Sequence, residues 1–181
     1  MTNYPWYELV EGSNLLQGDF LDKCPIIVPS KDLYIPPSGE APGVEIPTIE
    51  CNVVVMSQSC DITQGRLDLI LVCPHWSLED MGQKNVVLKS SKGREELRRG
   101  NFPGYHLLNK YDLGGMEGDY RVVDFRTVYS LPLDFLKDFA SRAGKRIRLL
   151  PPYREQLAQA FARFFMRVGL PADIPPFRQT Q

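Results

Sequence analysis

Apolar positions in this chain fall in short runs broken by small polar residues, glycine and proline. Val53-Val54-Val55-Met56 ends at Ser57-Gln58-Ser59-Cys60-Asp61, and Leu69-Ile70-Leu71-Val72-Cys73 ends at Pro74-His75-Trp76-Ser77. Such runs read as buried strands delivering loops to a sheet edge. Their short connection predicts antiparallel pairing, which puts the two polar breaks at opposite ends of the pair. The central strand is expected over 67–73. Further strands are expected at 26–28, at 45–56 (one bent strand or a pair), and at 85–89, 105–108, 120–129 and 146–150. Gly18-Asp19 reads as a bend into the first of them. Gly114-Gly115 and Gly118-Asp119 mark turns.

Helical spacing appears in four places. Ser77 is placed to cap a short helix. In 91–99, Ser91 is the expected cap, Glu95-Glu96 precede Arg98-Arg99, an order that suits the helix dipole, and Gly100 is a stop. Pro132 and Asp134 open a third helix, with Leu136, Phe139, Ala140 and Ala143 on one face and Gly144 at its end. The last begins at Pro151-Pro152 and carries the stripe Leu157, Phe161, Phe164, Phe165 and Val168. That stripe reads as core, or as part of a dimer surface. The aromatic stretch 4–10 reads as a packed lead-in and 175–181 as a loosely held tail. The segment 31–47, with four prolines and two glycines, reads as a long loop and a candidate lid.

Composition adds bounds to this pattern. The 181 residues, 43% hydrophobic and 24% charged, suit a single domain over 1–181, with a body over 17–150 and a C-terminal helix over 151–169 packed on it. The fifteen prolines and fourteen glycines favour a mainly β (α+β) architecture over a helix bundle. A net charge of −1 gives no global field toward nucleic acid or membrane. Four cysteines without CxxC spacing read as reduced thiols, and no apolar run approaches the roughly 20 residues that span a bilayer. A cytoplasmic protein without cofactor or metal is expected.

The order of these features resembles the PemK/MazF toxin superfamily of SH3-like barrels. Gly18-Asp19-Phe20 stands for the family's Gly-Asp, 52–57 for its apolar strand ending in Ser, 69–77 for its strand-Pro-polar-Ser segment, and 121–128 for its late strand. The correspondence is one of pattern over the larger part of the chain. It implies an SH3-like barrel with an inserted short helix and two C-terminal helices. It also implies a bacterial toxin-antitoxin or defence system, with RNA and a protein antitoxin as partners and a homodimeric assembly. Metal-independent RNA cleavage or RNA binding is the implied activity. Two departures favour an alternative, a non-catalytic barrel that docks a protein partner. Glu50-Cys51 stand where the family places Arg-Pro, and the family's Arg-x-Asp is replaced by Asp124-x-Arg126.

Cleavage through the 2′-hydroxyl needs a base, an acid and a cation for the phosphorane charge. Asp124, His75 or His106 suit the first two roles, and Arg126 or Arg66 the third. Ser77 matches the family's hydroxyl after the central strand. Asp124 and Arg126 equally suit a structural ion pair. Cys60 followed by Asp61 could be a reactive thiol with His106 as a partner through space, or a small hydrophobe followed by a turn cap. Lys92, Arg94, Arg98 and Arg99, followed by Tyr105 and His106, could track phosphates beside a stacking platform, or be a solvated helix face.

Overall fold

The computed structural model describes residues 4–29 and 47–166. The proposed lid, the tail and Val168 lie outside the described residues, apart from Pro47. In chain order the elements are β1 (Tyr7–Val10), β2 (Phe20–Ile27), β3 (Thr48–Val55), α1 (Ser59–Thr63), β4 (Leu69–Ser77) and α2 (Leu78–Lys84). A 3-10 turn (Val86–Lys89), α3 (Ser91–Arg98), β5 (Tyr105–Leu108), β6 (Tyr111–Leu113), β7 (Met116–Gly118) and β8 (Arg121–Asp124) follow. The chain continues through β9 (Tyr129–Pro132), α4 (Leu133–Ala143), β10 (Arg146–Leu149) and α5 (Tyr153–Phe165).

The architecture is mixed α and β with antiparallel sheets. The main sheet runs β2-β3-β4-β8-β5, and β9 pairs with the first half of β4 beside β8. β1 pairs with β10, and an isolated bridge between Asp19 and Arg148 joins that pair to the entrance of β2. Among the described residues no sheet closes on itself.

Alternation along the strands builds a core on each face. Val53, Val55, Ile70 and Val72 pack with Leu133, Leu136 and Ala140 of α4. Val54, Cys73, Val123 and Phe125 pack on the opposite face with Ile147 and Leu157. A third cluster, Met81, Leu88 and Leu97 over Val122, seats the helical insertion against β4, β8 and β5. In the C-terminal stripe Leu157 is buried and Phe161 and Phe164 are packed against core, whereas Phe165 is exposed.

Several expected elements are corrected. The first main-sheet strand starts at Phe20, well ahead of the expected 26–28. β4 runs past its apolar half through Pro74-His75-Trp76-Ser77, because β8 pairs with this second half and Cys73 and His75 are buried there. The expected strand at 85–89 is a 3-10 turn, since the Asn85 side chain accepts from Val87 N at 3.1 Å and turns the chain. The cap of α3 is Ser90, whose hydroxyl accepts from Gly93 N at 3.0 Å, and not Ser91. The expected strand at 120–129 splits into β8 and β9, because Asp124 Oδ1 takes the N–H of Arg126 at 3.0 Å and ends the ladder.

Candidate functional site

β8 and β4 bring Asp124 and Trp76 to the same side of the sheet, while the pair His75 and Val123 faces the other. Asp124 and Arg126 form a bidentate ion pair. Arg126 donates Nε to Oδ1 at 2.9 Å and Nη2 to Oδ2 at 2.8 Å. Charge-assisted pairs of this geometry are strong, and the bonds to Asp124 raise the Arg126 pKa further. With the backbone N–H of Arg126 also on Oδ1, the carboxylate is occupied on both oxygens. This is the geometry of a structural pair and a poor one for a general base.

The pair lines a cleft of about 510 Å³ bounded by β3, the middle of β4 and the end of α2. The Arg126 guanidinium lies 4.4 Å from the centre of the Tyr105 ring. Gly104 permits this, because a Cβ there would sit 3.1 Å from the Arg126 stem. On the far wall Lys84 Nζ lies 2.9 Å from the centre of the Trp76 ring. The Ser77 cap starts α2 immediately after Trp76, so its last turn carries Lys84 back over the indole. Glu50 adds a carboxylate to the rim. The cleft therefore combines two aromatic faces, each under a cation.

The other residues singled out in the sequence are not gathered there. Ser77 caps α2, accepting from Asp80 N at 3.0 Å and donating to Asp80 Oδ2 at 2.7 Å. Cys60 is exposed on α1, and Asp61 pairs with Arg66 at 3.4 Å. Lys92 is exposed on α3, and Arg94 donates to the carbonyl of Leu88 at 3.0 Å. Arg98 and Arg99 both bond Glu95, which holds that carboxyl down at about 2 and neutralises much of the helix's positive face. His106 stacks near Phe125, and burial lowers its pKa to about 4. His75 is fully buried, with its pKa lowered to about 3 by burial and then by Arg121. Both imidazoles are neutral at pH 7.

Trp76, Lys84 and Glu50 were not picked out by the sequence reading as site residues. The serine cap and the eight-residue interval from Trp76 to Lys84 were the available signal, but only the packing of α2 shows that the lysine returns over the ring. Among the described residues no three His, Cys, Asp or Glu side chains are grouped to hold a metal ion, and no helix is long and apolar enough to cross a membrane. Compared with protein-family models, curated proteins and solved structures, the chain matches none.

Proposed function

We propose that this chain is a PemK/MazF-like, SH3-like barrel of a bacterial toxin-antitoxin or defence system, and that it binds single-stranded RNA in the Trp76–Tyr105 cleft. The observation that carries the reading is the pair of cation-covered rings in one cleft. Lys84 covers the Trp76 face in the free protein, so a base would stack there by displacing the ammonium, which is then placed to take the adjacent phosphate, while Arg126 stays paired over Tyr105. Two features support the barrel. The Asp19–Arg148 bridge continues the main sheet into β10 and β1, and the Tyr7 hydroxyl of β1 donates at 2.7 Å to the carbonyl of Asn109, just beyond β5. Binding without cleavage is the favoured form, because Asp124 is occupied on both oxygens and neither histidine lines the cleft.

The test is fluorescence anisotropy with an unstructured RNA oligonucleotide. Stacking contributes about 1–3 kcal/mol per base, so Trp76→Ala should weaken binding about fivefold or more. Lys84→Ala should flatten the salt dependence by about 0.7 in log–log slope. The RNA should stay intact with and without EDTA. Absence of binding at low salt, or unchanged binding in a variant carrying both Trp76→Ala and Lys84→Ala, would overturn the reading. A protein-docking module is the second reading, favoured by the exposed aliphatics Ile49 and Val86 on the same cleft. It would lead if RNA failed to bind.

A further inference from the structure

On the other side of the sheet a second cleft, of about 410 Å³, lies between the start of β2, the β6–β7 hairpin and the turn from α4 into β10. Five cationic residues line it: Lys23, Arg121, Arg142, Lys145 and Arg146. Two are already paired, Arg146 with Asp19 and Arg142 with Asp138. Among the described residues Lys23, Lys145 and Arg121 are in no ion pair. Asp22 is the one carboxylate lining the cleft. Three unpaired cations against one carboxylate leave an excess of positive charge.

Arg121 is the unusual member. Its guanidinium is half-buried and meets neutral acceptors, His75 Nδ1 at 3.3 Å and the Tyr111 hydroxyl at 3.4 Å. A partly desolvated charge without a counter-ion is costly. The contact also fixes the histidine tautomer. A guanidinium can only donate, so Nδ1 carries the lone pair and the neutral ring holds its proton on Nε2. That atom is buried and has no hydrogen-bond partner. Asp22 Oδ1 is 3.9 Å from it, beyond hydrogen-bond reach, and Asp22 lines the cleft. The unpaired guanidinium lines the cleft, and the unmet N–H is buried behind it, 3.9 Å from the lining residue Asp22.

The backbone at the rim is strained. Between Leu21 and Cys24 the register of β2 against β3 shifts, and Lys23 takes φ 53°. It is the one non-glycine residue with positive φ among those described. Asn52 Oδ1 holds the arrangement by accepting from Lys23 N at 2.9 Å. Bulges of this kind re-aim side chains, and strain held in place by its surroundings is a feature of ligand sites. Here the bulge sets Asp22 and Lys23 at the cleft.

We infer that this second cleft binds a phosphoryl dianion, with Arg121 as its anchor and Lys23 and Lys145 closing over the remaining oxygens, and with His75 behind Arg121 sensing the ligand through their contact. A dianion matches the charge excess better than a single carboxylate. Three unpaired donor groups spread around the cleft, Arg121, Lys23 and Lys145, suit the several oxygens of a phosphate. Asp22, whose side chain is 62% exposed, turns outward to solvent when the ligand enters. The inference stands apart from RNA binding at the Trp76 cleft, since free phosphate is a sufficient probe.

Isothermal titration with inorganic phosphate and pyrophosphate, at constant ionic strength set by chloride, tests it. Wild-type protein should bind pyrophosphate, and Arg121→Ala should weaken binding at least tenfold. Lys23→Gly should also weaken it while leaving the melting temperature unchanged or raised, because glycine accepts the positive φ. A purely structural lysine would not show that split. The ring N–H signal of His75 in proton–nitrogen NMR should move on adding phosphate and stay still with chloride. Competition by a 5′-phosphorylated RNA but not its 5′-hydroxyl twin would identify an RNA end as the source. Competition by free nucleotides alone would identify a small phosphorylated molecule. No binding of either anion above the chloride control, or wild-type affinity in both variants, would overturn the inference.

Discussion

Asp19 and Arg146 are 127 positions apart in the chain, and their side chains meet in the interior through two guanidinium nitrogens, each 3.0 Å from Oδ2. Arg148 bonds the same carboxylate, and Asp19 is completely buried. The two arginines also donate to the carbonyls of Gly12 and Asn14, so the loop before β2 is held by the same group. This cluster joins β10 to the main sheet. Removing one partner of a buried pair leaves an uncompensated charge, at a cost of about 3–5 kcal/mol. Asp19→Asn should therefore lower the urea midpoint sharply and melt the protein roughly 10 °C lower or more. A midpoint within error of wild type would show that β1 and β10 are held by their apolar contacts alone.

The Asp124–Arg126 pair is expected to act on stability. Arg126 is more than half exposed, so solvent screens the pair. The carboxylate, however, is largely buried and also ends β8 through the backbone N–H of Arg126. Asp124→Ala should cost about 1–3 kcal/mol in urea unfolding. If it instead abolished an RNA-cleaving activity while the unfolding midpoint stayed fixed, Asp124 would be an acid or base and the binding-only reading would be wrong.

How far the sequence could be read depended on whether the controlling contact was local. The caps were legible because a serine and the amide it accepts are neighbours in the chain. Ser77 met that expectation, and Ser90 missed it by one residue because two serines stand together. The antiparallel pairing of β3 and β4 followed from their short connection. The second half of β4 was hidden. Its histidine and serine look like a loop, and only β8, more than forty positions later, shows that His75 is buried against Val123. The Asp124–Arg126 pair was foreseen, because two-residue spacing is local information. The His75–Arg121 contact was not, because it depends on the register of β4 against β8.

The four thiols should separate by accessibility. Cys60 is exposed, whereas Cys24, Cys51 and Cys73 are buried. Burial pushes Cys24 and Cys73 up to about 12 and raises Cys51 as well. The thiolate is the reactive form. Iodoacetamide at pH 8 should therefore modify one thiol quickly in the native protein, found at Cys60 by peptide mass spectrometry, and all four after unfolding. Rapid labelling of Cys51, which lines the Trp76 cleft, would mean that the cleft admits the reagent to its β3 wall.

Acid should destabilise the fold through its two histidines. Burial lowers His75 to about 3, with Arg121 adding to the shift, and burial alone lowers His106 to about 4. Both values lie below the ordinary imidazole value of about 6.5. Between the folded and unfolded pKa values the unfolded chain binds more protons, so stability rises with pH across that window. The contribution is fully present above about pH 6.5 and is lost as pH falls toward 4 and then 3. Each pKa unit corresponds to about 1.4 kcal/mol, so the loss from pH 7 to pH 5 is on the order of a few kcal/mol. For His75 the groups facing the ring are Arg121, Asp22 and Phe20. Arg121 opposes protonation, and Asp22 is too exposed to reverse that. Urea unfolding at pH 7, 6 and 5 should show the midpoint falling throughout. His106→Gln should reduce the slope, since it removes one of the two titrating rings and leaves the Arg121 contact intact. A midpoint that is flat from pH 7 to pH 5 would mean that both rings take up protons in the folded state. His75 would then be cationic beside Arg121, and a phosphoryl dianion in that cleft would bind more tightly as pH falls.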